Sequence, residues 1–269
     1  MSDSDKRFAG SIPRLYESHL VPLIFAFYAE DLAARLRTAP LSRVLEVACG
    51  TGVVTRALAA ALPANVSIVA TDLNQAMLDH AQTLGPQRAE WRQADALQLP
   101  FDDGEFDAVV CQFGAMFFPD KPKAFSEARR VLRPGGRFLF NVWDRIEENE
   151  FADVVTAALA TAFPEDPPRF MARIPHGYHD VALVEQHLQA GGFTKLPTIT
   201  TLAARSRARS PDIPAIAYCQ GTPLRNEIEA RDPTRLDEVT GAAAEAIRRR
   251  FGSGNLDTKI QAHVIHVER

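Results

Sequence analysis

The sequence predicts an α/β fold, a mostly parallel sheet with helices on both faces. Three observations predict it. Short apolar segments alternate with helical segments of about ten residues between positions 43 and 143. Two of the apolar segments, VLEVA at 44–48 and DAVVC at 107–111, are nearly unbroken, as in strands buried on both sides. A glycine-rich turn, Cys49-Gly50-Thr51-Gly52, stands where the first of them passes into a helix.

The elements follow in order. Residues 13–37 carry Leu15, Leu20, Leu23, Ile24, Phe27, Leu32 and Leu36 at helical spacing, and Pro22 inside that pattern predicts two helices or a kink. Arg43 to Ala48 is the first strand, and Val53 to Leu62 an Ala-rich helix stopped by Pro63. Ser67 to Thr71 is the second strand, followed by a helix from Gln75 to Leu84 that Gly85-Pro86 closes. Ala89 to Gln93 gives a weaker third strand. The turn-rich DDGE at 102–105 precedes a fourth, Phe106 to Cys111. Lys123 to Val131 reads as a helix ended by Arg133-Pro134-Gly135-Gly136, and Arg137 to Trp143 as the fifth strand. The alternation then breaks. Residues 145–180 hold a charged helix and a Pro-rich loop, Val181 to Ala190 a helix, Phe193 to Leu202 a strand, and 205–255 a second helical excursion. Thr258 to Val267 alternates apolar and polar residues like a half-exposed last strand. The predicted organisation is an N-terminal helical arm, 1–40, and a sheet domain, 41–269, with insertions at 145–180 and 205–255. Both insertions follow strands, which predicts that they overlie the carboxyl edge of the sheet, where open α/β sheets bind ligands.

Composition narrows the function. Thirty Lys+Arg against 34 Asp+Glu give a formal charge of -4, so no overall basic field draws in nucleic acid. No apolar run approaches the ~20 residues that span a bilayer, and the acids and prolines of MSDSDKRFAGSIPRLYE do not form a signal peptide. The expected location is the cytoplasm. The three cysteines, Cys49, Cys111 and Cys219, form no C-x-x-C pair, so neither a disulfide framework nor a metal site is written here.

The residues that carry chemistry begin with the glycine turn. Gly50 and Gly52 let backbone approach a ligand, and the helix that follows offers its N-terminal N–H groups. Twenty residues beyond Gly52, Asp72 ends the second strand, where an acid can accept hydrogen bonds from the two ribose hydroxyls of an adenosine. A dinucleotide fingerprint wants a third glycine where Thr55 stands, which counts against a nicotinamide cofactor.

Five motifs occur in fixed order: VLEVACGTG at 44–52, TDLNQAML at 71–78, QADALQLPF at 93–101, FDAVVCQFGAMFF at 106–118 and VLRPGGRFLF at 131–140. Together they resemble the class I S-adenosylmethionine-dependent methyltransferases, in particular the type 11 family that includes the quinone-biosynthesis methyltransferases. The resemblance covers residues 41–143. It implies a Rossmann-like seven-stranded sheet whose last strand is antiparallel. It also implies S-adenosylmethionine as cofactor, with S-adenosylhomocysteine as product. By the same resemblance Glu46 lies near the methionine amino group, and Ala48, Gly50 and Gly52 present backbone. Asp72 holds the ribose, and Leu73 and Met77 lie against the adenine. Asp95 and the Ala96 N–H meet the adenine edge, and Gln112 and Phe113 sit beside the methionine and the sulfonium. Tyr16 of the arm completes the cofactor set.

A methyl sulfonium is an activated electrophile, so the protein needs no nucleophile and supplies orientation and a dry site. A base is needed only for a protonated acceptor, and Tyr16, Tyr28, His176, Tyr178 and His179 are the groups to inspect. The aromatic residues of the arm and first insertion, among them Phe8, Phe25, Phe163, Phe170 and Tyr178, predict a small organic acceptor, apolar or aromatic in part, enclosed by these segments. Two other readings stay open, a non-catalytic S-adenosylmethionine-binding regulatory module and a nicotinamide oxidoreductase.

Overall fold

The computed structural model describes Asp5, Phe8 and residues 10–269. It forms two compact units, one of Met1–Phe25, Trp143–Tyr178 and Ala203–Gln261, the other of Ala26–Val142, His179–Leu202 and Ala262–Arg269. The first division between the units falls at Phe25. The reason is the helix Ala26–Leu36, whose Ala29, Leu32, Ala33 and Leu36 are core residues of the sheet unit.

The strands are β1 (Arg43–Val47), β2 (Ser67–Asp72), β3 (Ala89–Gln93), β4 (Phe106–Gln112), β5 (Leu132–Trp143), β6 (Thr198–Ala208) and β7 (Leu256–Glu268), in the sheet order β3-β2-β1-β4-β5-β7-β6. β1 pairs in parallel with β2 and with β4, so strand order reverses beside β1, and the carboxyl end of such a switch point is where open α/β sheets bind ligands. β7 is the antiparallel strand, with the Arg269 N–H donating to the Gly136 carbonyl and the Gly135 N–H to the Arg269 carbonyl. It lies between β5 and β6, which is why it is largely buried rather than half exposed.

On one face of this unit, helices Ala26–Leu36 and Val53–Ala61 cover Val44, Ile68, Ala108, Val110 and Leu139. On the other, Phe138 stacks on Phe140 and Phe193, and Phe125 packs on Phe138 and Phe140. Phe193 is thus a core plug beyond the helix Val181–Ala190 rather than the start of a strand, and β6 begins five residues later. The Arg133-Pro134-Gly135-Gly136 turn is absorbed into β5 as a bulge, since Phe106 pairs with Leu132 and Ala108 with Arg137. The connection from β3 to β4 has no helix. Arg130 ties it down through the carbonyls of Leu99 and Phe101, and buried Glu127 accepts the Leu99 N–H at 2.9 Å. The Arg130 guanidinium holds the Glu127 carboxyl below its usual range.

The other unit is mainly helical. Pro22 lies in a π-helical stretch, Tyr16–Phe25, not at a break; the wider turn tolerates a residue without an N–H. Helices Glu150–Ala162, Asp212–Gln220, Leu224–Arg231 and Leu236–Phe251 pack together, with Phe151 edge-on to Phe251. Asn149 bonds both backbone groups of Gln261, and the Glu150 carboxylate accepts the Lys259 N–H at 2.6 Å. Among the described residues no helix is long and apolar enough to cross a membrane.

Candidate functional site

Eleven of the twelve residues singled out in the sequence fall at or just beyond the carboxyl ends of β1, β2, β3 and β4, or on the helix after β2. The twelfth, Tyr16, belongs to the helical unit, where it stacks on Phe25 at 4.9 Å.

Two buried acids form the centre of the site. Glu46, on β1, is 1% exposed and accepts the Thr55 hydroxyl at 2.5 Å. Asp72, ending β2, is 7% exposed. Its Oδ2 accepts the Gly50 N–H and its Oδ1 the Asn74 N–H, both at 2.8 Å. The carboxylate thereby joins the β1 turn to the β2 turn; Oδ1 also takes the Asn74 side-chain amide at 3.4 Å, and Oδ2 keeps acceptor capacity for a ligand. Neither acid forms an ion pair among the described residues. Burial pushes the Glu46 carboxyl up to about 8, against the Thr55 hydrogen bond, with the charge of Asp72 adding to the rise and Arg56 opposing it. Burial also raises Asp72, while the N–H groups of Asn74 and Gly50 lower it. Thr55, which replaces the third glycine of a dinucleotide turn, is therefore the residue that holds Glu46.

Backbone strain marks the same place. Only Ala48 and Phe113 among described non-glycine residues have positive φ, 56° and 50°, and they end β1 and β4 side by side. Gly114 fills the gap between them. A Cβ there would lie 2.5 Å from the Ala48 Cβ and 2.8 Å from the Cys111 Sγ. Asn141 on β5 accepts the Phe113 N–H through Oδ1 at 2.9 Å. Neither Gly114 nor Asn141 stood out in the sequence, although an amide inside the apolar run RFLFNVW was a visible anomaly.

Gly52 also answers to packing on another strand. With φ 81° it starts the helix Val53–Ala61, and a Cβ on it would meet the Trp91 ring at 2.8 Å. The same ring crowds Gly85. Gly52 thus admits Trp91 of β3 against the turn, while Gly50, also left-handed at 56°, carries the Asp72 contact. Leu73 is 46% exposed, unusual for a large apolar side chain here, and Met77 is buried. Asp95 is exposed and caps its own turn by accepting the Leu97 N–H, and Ala96 is buried beneath it. Gln112 and Phe113 are buried at the end of β4.

The candidate bases part company. The Tyr28 hydroxyl is fully buried and donates to the Leu202 carbonyl at 2.9 Å, and its ring takes Phe113 edge-on at 5.3 Å, so it is a packing residue. His176, in the helical unit, is buried with Nδ1 against the Asp144 carbonyl at 2.8 Å; a carbonyl only accepts, so Nδ1 carries the proton. Burial raises the Tyr178 hydroxyl above its ordinary value, and His179 is exposed. Cys49 and Cys111 are buried, and burial pushes the Cys49 thiol up and the Cys111 thiol to about 12, which suits packing rather than nucleophilic roles.

Residues 45–140 match a family model described as a methyltransferase domain. A demethylmenaquinone methyltransferase from Lactiplantibacillus plantarum is 39% identical over 117 residues, 42% of this chain and 49% of the relative. A 2-phytyl-1,4-naphtoquinone methyltransferase from Synechococcus elongatus is 36% identical over 103 residues, 36% of this chain and 44% of the relative. The matched stretch thus spans less than half the length of either relative. Among solved structures, the YcgJ protein from Bacillus subtilis superposes with a TM-score of 0.56 at 19% identity, covering 90% of this chain and 98% of that one. A phosphoethanolamine-type N-methyltransferase from Haemonchus contortus, solved with S-adenosylhomocysteine, gives 0.58 at 17% identity, covering 96% and 57%. At these identities the structural likeness is one of fold.

Proposed function

We propose that this chain, whose residues 45–140 match the methyltransferase-domain family model, transfers a methyl group from S-adenosylmethionine to a small organic acceptor. The observation that carries the reading is the buried pair of acids, Glu46 and Asp72, held by hydrogen bonds and in no ion pair among the described residues. Two carboxyls kept out of water call for a ligand that brings positive charge or hydrogen-bond donors. S-adenosylmethionine brings an ammonium, a sulfonium and two ribose hydroxyls.

Glu46 faces the ammonium in this reading, and Asp72 takes the ribose hydroxyls on the lone pairs that Gly50 and Asn74 leave open. Ala48, Gly50 and Gly52 form the backbone wall of the turn. Leu73 and Met77 give the adenine an apolar surface, Asp95 and the Ala96 N–H meet its polar edge, and Gln112 and Phe113 border the sulfonium. When bound, the cofactor supplies the activated methyl group. The chain orients it for in-line attack and excludes water, which requires no protein nucleophile. The acceptor belongs to the apolar, partly aromatic class that the names of the quinone-biosynthesis relatives suggest.

The test is to follow isotopically labelled methyl from S-adenosylmethionine into a panel of naphthoquinols and smaller phenols, with thermal melts in parallel. The reading expects label in at least one extracted product and a melting temperature raised by S-adenosylmethionine. A melt raised by NAD and unmoved by S-adenosylmethionine overturns it.

A further inference from the structure

Asn141 is an amide in a strand of aromatic and aliphatic residues, fully buried and on the same face of β5 as Leu139. Such a position ordinarily takes an apolar side chain, because a buried amide must be desolvated and every donor satisfied. Here the amide is only half satisfied. Oδ1 accepts the Phe113 N–H at 2.9 Å, and Nδ2 is buried with no hydrogen-bond partner among the described residues. The assignment of oxygen and nitrogen is fixed by chemistry, since Phe113 N–H needs an acceptor.

The Phe113 N–H also leans on the Asn141 backbone carbonyl at 3.2 Å, so one residue takes both branches of a three-centre bond. That bond falls where β4 stops. Gln112 pairs with Asn141, and the next residue, Phe113, turns left-handed. A left-handed conformation is disfavoured for a side-chain-bearing residue and needs an external hold. Gly114 follows against Ala48, the second left-handed residue, with no room for a Cβ between them. The Tyr28 ring packs edge-on to the Phe113 ring.

We propose that Asn141 is a positioning residue: its side-chain oxygen pins the Gln112-Phe113-Gly114 turn against Ala48 and so sets the methionine end of the cofactor site. The proposal rests on the reading of those two turns as cofactor turns. It explains a half-satisfied buried amide that serves stability poorly.

The experiment compares Asn141→Leu, which keeps the volume and removes the acceptor, with Asn141→Asp, which keeps an oxygen facing Phe113. Each is melted and titrated with S-adenosylhomocysteine, and the KM for S-adenosylmethionine is measured where an acceptor is in hand. Asn141→Leu is expected to melt cooperatively, within a few degrees of the parent chain, and to bind S-adenosylhomocysteine at least tenfold more weakly, about 1.4 kcal/mol. Asn141→Asp is expected within threefold of the parent. Equal affinity for the parent chain and Asn141→Leu overturns the proposal. So does equal weakening in both variants, which would put the role on Nδ2, and so does loss of the cooperative melt in both, which would make Asn141 part of the fold alone. Absence of binding by the parent chain is a separate outcome that rejects the cofactor reading itself.

Discussion

Replacing Glu46 with Gln should stabilise the ligand-free protein at alkaline pH and weaken its cofactor binding, two effects of opposite sign from one change. Burial lifts the Glu46 carboxyl from an ordinary 4.5 to about 8. A group raised in the folded state stabilises the fold fully below its unfolded value, and that contribution is lost as pH rises through the folded value. The ligand-free protein should therefore lose stability from about pH 5 to about pH 8.5. At 1.36 kcal/mol per pH unit the full span corresponds to an upper figure on the order of 5 kcal/mol. Glutamine keeps an oxygen for the Thr55 hydroxyl and never ionises, so Glu46→Gln should flatten the profile. With ~2–4 °C per kcal/mol for a chain near this length, that upper figure puts the variant about 10–20 °C above the parent at pH 8.5 and within about 2–3 °C at pH 5. A residual slope is expected from Asp72, whose carboxyl burial also raises. With S-adenosylhomocysteine present the order should reverse, because the ligand ammonium compensates an ionised Glu46 and gains nothing from an amide. The assay is a melt series from pH 5 to 9 with and without ligand, with calorimetry in two buffers of different ionisation enthalpy to count released protons. Coincident pH profiles for parent and variant, with no proton release on binding below pH 8, would refute the reasoning.

Two further outcomes follow from the packing around the site. Gly52→Ala forces a side chain into a left-handed position, at about 1–2 kcal/mol, and against Trp91, so the melting temperature should fall by several degrees; adding Trp91→Leu should restore part of it, and no recovery would mean that the ring is not the obstacle. Tyr28→Phe leaves the Leu202 carbonyl without its donor and should cost ~1 kcal/mol of stability with methyl transfer unchanged, whereas a tenfold fall in kcat without a change in melting would return Tyr28 to the list of bases.

Local signals carried much of the architecture. The strand ends at Glu46, Asp72 and Gln112 were visible because parallel strands buried on both faces are written as short apolar runs broken by polar residues. The last strand could be placed in sequence but not in the sheet, since its insertion between β5 and β6 depends on pairing over more than a hundred residues. The start of β6 was displaced because Phe193 reads as a strand residue and serves as a plug on Phe138. Pro22 pointed to a break, where a π-helical stretch accommodates it.

Within the site, what escaped the sequence is what depends on distant contacts. Gly114 matters because of Ala48, 66 positions away in the chain, and Asn141 because of Phe113. No local pattern reports either pairing. Gly52 was legible as a required glycine, but its reason, the Trp91 ring, lies on another strand. Thr55 was read only as a missing glycine, and its hydroxyl donates directly to the Glu46 side chain.

The central claim is that the turns after β1 and β2 hold S-adenosylmethionine through Asp72. Titration calorimetry of S-adenosylhomocysteine into the parent chain and into Asp72→Ala tests it most directly. The account predicts micromolar binding to the parent chain and a loss of about 1.5–3 kcal/mol in the variant, the scale of hydrogen bonds to a charged acceptor, with a cooperative melt retained. No heat at millimolar ligand, or equal affinity for the two proteins, would contradict it.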